Sequence, residues 1–542
     1  MNDGHVTIPE PRNEPVREYR PGTTERTSLE RRLGSMATET AELPMVIGGK
    51  AVTSGETFER RAPHRLELEL ARAHGARAED VERAIQAAST ASGEWARTPW
   101  KDRAEIFLKA ADLIAGPYRD TINAATILGQ SKSVHQAEIE AACELVDFLR
   151  FNAHYAERIY ADQPLSVPGV RNRTDYRPLE GFVLAITPFN FTAIAANLPT
   201  APAMMGNVAL WKPSEKQVLA AHYTMEALVE AGLPDGVINL LHGDGALVSD
   251  VAMTHEDFAG LHFTGSLPVL EHLWKKTGEN LGRYRSFPRI VGETGGKDFV
   301  IAHPSAGVES LVVALGRGAF EYQGQKCSAA SRAYIPRSLW PAVEDGVRAM
   351  VDEITVGDVG GDLSTFMGAV IDDAAFRKHR EAIARARREG LEVVAGGGTD
   401  ESEGWFVEPT VLRTEDPQSD TMVRELFGPI LTVFVYEDAR WEETLDLVDS
   451  TSPYGLTGAV FARDRGAIRE ATDRLRQAAG NFYVNDKPTG AIVGQQPFGG
   501  ARRSGTNDKA GSVMNMLRWV SPRAIKEVSV PAEDWRYPHM GA

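Results

Sequence analysis

The sequence predicts an α/β fold built on a parallel sheet covered by helices, and three observations lead there. Short apolar runs alternate with helix-length segments between Gly181 and Val291. Several of the runs end in glycine-, proline- and polar-rich peptides, placed where sheets of this kind hold their ligands. The stretch from Gly181 to Trp211 carries no charged residue, as expected of a strand, a helix and a second strand buried on all sides.

In chain order, residues 1 to 44 are polar, with Pro9, Pro11, Pro15 and Pro21, and read as an extended arm with one helix near Leu29–Met36. From Asp80 to Leu149 helical periodicity dominates. Ala84, Ala87, Ala88 and Ala91 fall on one face, as do Ile106, Leu108, Ala110, Leu113 and Ile114. Gly181–Thr187 reads as a strand, Thr192–Met205 as a helix and Val208–Trp211 as a strand. Glu215–Ala231 is a helix stopped by Gly232 and Pro234. Val237–Leu241, Gly260–Phe263 and Arg289–Val291 are strands, separated by helices over Ala246–Met253 and Leu267–Thr277. A second α/β segment runs from Gly296 to about Gly500. The alternating tail Trp519–Val530 forms an edge strand suited to pairing across subunits. No internal repeat is evident.

Composition narrows the function. A net charge of −16 argues against nucleic acid and anionic membranes, because neutralising phosphate needs a basic face. The uncharged stretch is long enough to span a bilayer, but Pro188, Pro199, Pro202, Asn190, Asn197 and Asn207 would be costly in lipid. Two cysteines build no disulfide framework, and Met1–His5 lacks the start of a secretory signal, so a reducing, cytoplasmic setting is expected.

Chemistry concentrates in a few peptides. Cys327 follows Lys326 in a Gly/Gln/Lys/Ser-rich stretch that reads as a loop-to-helix junction, where a helix N-terminus and the lysine charge would favour a thiolate. Free cysteines are more often inert and buried, as Cys143 is expected to be in its Ala-rich helix. Glu293 sits among Gly292, Gly295 and Gly296, which suits either a mobile general base or a turn carboxylate. Asn190, between Phe189 and Phe191 after a buried strand, suits an oxyanion donor or a tight turn. The dinucleotide fingerprint fails, since Gly243-Asp244-Gly245 is followed by Ala-Leu-Val. Thr264-Gly265-Ser266 fits a phosphate site or an ordinary helix cap. Lys212 and Glu215 fit ribose contacts or a solvated charge pair.

Taken together and in order, these peptides resemble the aldehyde dehydrogenase superfamily. The resemblance rests on Thr187-Pro188-Phe189-Asn190-Phe191, Lys212-Pro213-Ser214-Glu215, Phe263-Thr264-Gly265-Ser266, Glu293-Thr294-Gly295-Gly296-Lys297, Gly324-Gln325-Lys326-Cys327 and Glu425-Leu426-Phe427-Gly428-Pro429, and covers the chain from about Pro44 onward. Within it, Phe189–Ile194, Tyr322–Ala329, Thr489–Gly500 and Asn13-Glu14-Pro15-Val16 are similar to the branch that acts on Δ1-pyrroline-5-carboxylate. Leu270 stands where many relatives have Gly.

The resemblance implies a Rossmann-type cofactor domain (45–165 and 180–295), an α/β catalytic domain (296–510) and a β-flap for oligomerisation (166–179 and 511–542). It implies NAD-dependent oxidation of L-glutamate γ-semialdehyde to L-glutamate in proline catabolism, with another aldehyde such as succinate semialdehyde as the alternative substrate. Cys327 is the implied nucleophile, Glu293 the base and Asn190 the oxyanion donor. Thr187, Pro188, Phe189, Lys212, Ser214, Glu215, Gly245, Gly265, Ser266, Glu425 and Phe427 are implied around NAD. Ser328, Gly490 and Ala491 would hold the substrate carboxylate, Phe191 and Phe498 its methylenes and Glu144 its ammonium. No metal is implied. A homodimer or higher homo-oligomer is expected, and a proline dehydrogenase is a possible pathway partner; the chain itself is too short to add a second catalytic barrel of ~250 residues.

Overall fold

The computed structural model describes residues 7–541; the first six residues of the expected arm, with the Met1–His5 reading, and the last residue of the flap lie outside the described residues. A seven-stranded sheet runs in the order Arg289–Glu293, Phe258–Thr264, Phe182–Thr187, Val208–Pro213, Ile238–Leu240, Met45–Ile47, Lys50–Val52. Its first five strands are parallel, and the last two join antiparallel. From Phe182–Thr187 the chain steps outward one way through the strands at 208 and 238, then returns to the other side with those at 258 and 289. The reversal opens a crevice at the carboxyl ends of Phe182–Thr187 and Phe258–Thr264.

The uncharged stretch is strand, helix and strand. Helix Thr192–Met204 contains Pro199 and Pro202, and almost every residue of it is buried. Pro202 lacks the N–H that would reach the Leu198 carbonyl, and the buried His262 ring lies 2.8 Å from that oxygen through Nδ1. Burial pulls His262 down to about 3, so the ring is neutral and Nδ1 donates. Among the described residues no helix is long and apolar enough to cross a membrane.

A second seven-stranded sheet has the order Glu392–Ala395, Thr410–Thr414, Ile430–Tyr436, Ala330–Pro336, Asp298–Ala302, Thr457–Phe461, Asn481–Val484. All of its neighbours are parallel except the first pair. The helical region resolves into Ala78–Arg97, Trp100–Ala115, Arg119–Gln130, Val134–Ala137 and Leu145–Ala161, with a π-helical turn at Glu138–Glu144 that periodicity did not signal. Also unsignalled is a three-stranded sheet of Ala41–Leu43, Arg65–His74 and Thr57–Ala62.

The arm's helix is longer than expected, Thr24–Met36, with Leu29, Leu33 and Met36 buried. The tail strand Ser521–Val528 pairs antiparallel with Val170–Arg177 of the same chain, from Ser521 opposite Arg177 to Val528 opposite Val170. Within its own chain the strand has a ladder partner on one edge only, as the outer strand of a two-stranded ribbon.

Candidate active site

Cys327 lies in a turn between helix Val308–Phe320 and strand Ala330–Pro336. This corrects the expected loop-to-helix junction: the following element is a strand, so the thiol does not open a helix of its own segment. Lys326 does not supply the charge either, because its ammonium pairs with Glu321 at 3.0 Å. Burial, then the carboxyls of Asp298, Glu293 and Glu425, push the thiol well above its ordinary value.

The turn is delivered by an unusual backbone. Tyr322, Gln323 and Gly324 have φ of 53°, 55° and 63°, three successive left-handed residues. Each non-glycine residue there costs about 1–3 kcal/mol unless its surroundings fix it. The Gln323 amide donates to the carbonyls of Ser131 (2.9 Å) and Ala369 (2.7 Å), and its oxygen accepts from the Gly368 N–H (3.1 Å). The Gln325 oxygen accepts from the Ile371 N–H at 2.9 Å. The Lys132 ammonium lies 4.4 Å from the ring centroids of both Tyr322 and Phe191. Burial pulls Lys132 down to about 8 despite its ion pair with Glu140 at 2.6 Å. Sequence reasoning gave Tyr322, Gln323 and Lys132 no role; nothing in a tyrosine or glutamine announces positive φ.

Asn190 sits in the turn that leads from strand Phe182–Thr187 to helix Thr192–Met204. Its amide donates to the Gln325 carbonyl at 3.0 Å, two residues before the cysteine. One N–H of the amide remains for a ligand.

Glu293 ends strand Arg289–Glu293, where an isolated bridge joins it to Gly505. Its carboxylate accepts from the Gly500 N–H at 3.4 Å. Burial pushes it up to about 8, against the pull of that N–H and of Lys509. The neighbouring glycines serve close approach. A side chain on Gly295 would strike the Glu425 carboxylate, and one on Gly296 would strike Asp298 and the Cys327 carbonyl. Leu270 fits because Gly292 leaves room: a Cβ there would come within 2.8 Å of it.

The crevice at the sheet's carboxyl edge gathers the other expected cofactor residues. Lys212 is buried, and its ammonium makes no hydrogen bond or ion pair with any described residue; burial holds it below the usual lysine range, against Glu215 and Asp244. It is not half of a solvated pair. An added Cβ on Gly245 would lie 3.5 Å from that ammonium. Glu215 is exposed, and the Ser214 hydroxyl accepts from Lys216 N–H at 3.4 Å. Ser266 precedes helix Leu267–Glu279 without capping it through its side chain, and the Gly265 N–H donates to the Glu293 carbonyl at 3.1 Å. Thr187 is occupied structurally, its hydroxyl accepting from the Trp211 indole at 3.1 Å. After Pro188, Phe189 meets Phe427 edge to face at 5.9 Å. Glu425 accepts from the Gly296 N–H at 3.0 Å.

On the other side of the cysteine a cleft of about 280 Å³ opens. Glu144, Phe191, Ser328, Gly490, Ala491 and Phe498 all line it with Cys327. The Ser328 and Thr489 hydroxyls are 2.8 Å apart. Gly490 has φ of 91°, a conformation that favours glycine. Neither the Gly490 nor the Ala491 N–H donates to a described protein acceptor. Glu144 is half-buried on the π-helical turn, not solvated, and burial with Glu140 pushes it up to about 8. Lys326 and Lys487, which sequence reasoning gave no substrate role, also line the cleft. No cluster of potential metal ligands occurs among the described residues.

The chain matches the aldehyde dehydrogenase family over residues 51–523. It is 50% identical over 529 residues to the Bos taurus "Delta-1-pyrroline-5-carboxylate dehydrogenase, mitochondrial", covering 97% of this chain and 94% of that one. It is 50% identical over 537 residues to a "Probable delta-1-pyrroline-5-carboxylate dehydrogenase" of Schizosaccharomyces pombe, covering 98% of each. A crystal structure of the "Delta-pyrroline-5-carboxylate dehydrogenase from Mycobacterium tuberculosis bound with NAD" superposes with a TM-score of 0.96 at 56% identity, covering 99% of both chains. A cysteine and a glutamate at the meeting of crevice and cleft, with these matches across nearly the whole length, show that this chain belongs to the aldehyde dehydrogenase family.

Proposed function

We propose that this protein oxidises L-glutamate γ-semialdehyde, the open form of Δ1-pyrroline-5-carboxylate, to L-glutamate with NAD as a step of proline catabolism. The observation that carries the reading is the cleft beside Cys327, which has hydroxyl and N–H donors at one end, aromatic walls and the carboxyl group of Glu144. The named relatives support the same substrate.

The crevice fits a dinucleotide: Lys212 is a buried cation without a partner, Ser266 leaves its hydroxyl free at a helix start, and Glu425 is seated on a glycine pair. Lys212 and Glu215 would hold the adenosine ribose, Ser266 the pyrophosphate and Glu425 the nicotinamide ribose, with Phe427 beside the nicotinamide. Bound NAD supplies the hydride acceptor. The Cys327 sulfur attacks the aldehyde carbon, and its proton leaves for solvent or a neighbouring base. Asn190 and the Cys327 N–H hold the resulting oxyanion. After hydride loss gives the thioester, Glu293 takes a proton from water, and hydroxide addition releases glutamate and the cysteine sulfur. Ser328 and the Gly490 and Ala491 N–H groups bind the α-carboxylate. Glu144 accepts from the ammonium, and Phe191 and Phe498 flank the methylenes.

The division into an arm at 1–44, a cofactor domain at 45–165 and 180–295, a catalytic domain at 296–510 and a flap at 166–179 and 511–542 belongs to this proposal, supported by the two large sheets and the ribbon. The ribbon, in which no residue is buried and strand Ser521–Val528 is mostly exposed, supports assembly of copies into a dimer or larger homo-oligomer, which light scattering tests. Two free cysteines support a reducing compartment, and the cytoplasm is the placement proposed; fractionation tests it, since the Bos taurus relative is named as mitochondrial. Proline dehydrogenase is the proposed pathway neighbour.

The experiment is reduced-cofactor formation with Δ1-pyrroline-5-carboxylate, succinate semialdehyde and benzaldehyde. Preference for the first supports the reading. Preference for another aldehyde overturns the assignment of Ser328, Gly490 and Ala491.

A further inference from the structure

We infer that the N-terminal segment Asn13–Val16 sets the substrate-anchoring loop of the cleft, with Asn13 as a positioning residue for the amino-acid end of the substrate. This rests on the reading above, in which the N–H groups of Gly490 and Ala491 receive the α-carboxylate.

Residues 490 and 491 have no regular structure and hang between Thr489 and a turn that begins at Ile492, whose N–H donates to the Gln496 side chain and whose carbonyl accepts from the Gln495 and Gln496 N–H groups, each at 3.0 Å. At one end Thr489 meets the Ser328 hydroxyl at 2.8 Å. At the other, the Asn13 amide donates to the Val493 carbonyl at 2.8 Å, and its oxygen accepts from the Gln495 side chain at 3.0 Å. The same amide donates to Asp147 at 2.8 Å. One asparagine, 480 residues away in sequence, thus ties the loop to helix Leu145–Ala161. Its side chain uses both donors and its acceptor in this bridge.

The segment is itself held firmly. The Glu14 N–H donates to Asp147 at 2.7 Å, and its carboxylate pairs with Arg119 at 2.6 Å and Arg150 at 2.7 Å. Arg119 also donates to the Pro15 carbonyl at 2.8 Å, and the Arg17 N–H donates to Glu138 at 2.8 Å. Glu14 and Val16 come up to the cleft wall. A clamp this well braced transmits the helix position to the loop. Anchoring N–H groups act only when placed within a fraction of an ångström, so slack at Val493 is felt at Ala491.

A substrate without a carboxylate does not use the loop, which gives the inference its test. Asn13→Ala and Gln495→Ala are compared with wild type at saturating NAD, using Δ1-pyrroline-5-carboxylate and propionaldehyde, with thermal melting alongside. For Asn13→Ala the KM for Δ1-pyrroline-5-carboxylate rises roughly ten-fold, about the loss of one hydrogen bond to a charged group, with kcat within about two-fold. Propionaldehyde turnover stays within about two-fold, and Gln495→Ala moves the same way by less. A parallel loss for both aldehydes that follows the melting temperature would assign the segment to stability alone and overturn the inference. So would an unchanged KM in both variants. Wild-type protein inactive on Δ1-pyrroline-5-carboxylate would instead defeat the functional reading itself, whatever Asn13 does.

Discussion

The side-chain amide of Asn190 donates to the backbone carbonyl of Gln325 at 3.0 Å, joining the carboxyl end of one sheet to the turn that carries Cys327. The residue proposed to hold the oxyanion is thereby fixed to the peptide that presents the nucleophile. Asn190→Ala is expected to lower kcat/KM for the aldehyde by about 10²–10³-fold, the usual cost of one oxyanion donor, with NAD affinity unchanged by fluorescence titration.

Glu293 is held at about 8 by burial. As a general base it works as the carboxylate, whose fraction grows with pH. Where thioester hydrolysis limits turnover, kcat is expected to rise as pH passes up through about 8 and then level off. Glu293→Gln is expected to give a burst of reduced cofactor, one equivalent per site, followed by little turnover. Rapid-mixing absorbance reads both outcomes.

Glu144 is also pushed up to about 8, by burial and by Glu140. Its role is in binding, so the pH effect belongs in KM. The KM for Δ1-pyrroline-5-carboxylate is expected to fall as Glu144 loses its proton. Glu144→Gln raises KM and flattens that part of the profile, while kcat keeps its pH dependence. A profile that moves kcat instead would place Glu144 in the chemistry.

Lys132 is buried with Glu140 as its ion-pair partner and lies over the rings of Phe191 and Tyr322. Lys132→Ala leaves the Glu140 carboxyl buried without its cation, at a cost of about 3–5 kcal/mol. Urea unfolding measures the loss. Replacing Glu140 by Gln in the same protein is expected to recover part of it.

Much of the fold was legible because burial leaves a mark in composition. The strands at 182, 208, 238 and 258 are mostly apolar and almost wholly buried, and the helix that ends at Ala231 stops at Gly232. Cys327, Glu293 and Asn190 stood out because reactive side chains sit in glycine- and proline-rich peptides at strand ends. The thiol's setting did not follow from Lys326 and the small residues around it, because the turn leads into a strand and Glu321 takes the lysine charge. The left-handed run at Tyr322 and Gln323 is fixed by Ser131, Gly368 and Ala369, partners far apart in sequence. The three-stranded sheet at 41–74 escaped notice because its mixed, charged strands face solvent on one side. Asn13 lay in a polar arm whose contacts with Asp147 and Val493 only the fold creates.

The most direct measurement is peptide mass mapping of acid-quenched Glu293→Gln protein after mixing with NAD and Δ1-pyrroline-5-carboxylate. The expected result is one γ-glutamyl group on the peptide containing Cys327, lost in Cys327→Ala. Reduced cofactor formed without that adduct, or an adduct on Cys143, would contradict covalent oxidation at Cys327.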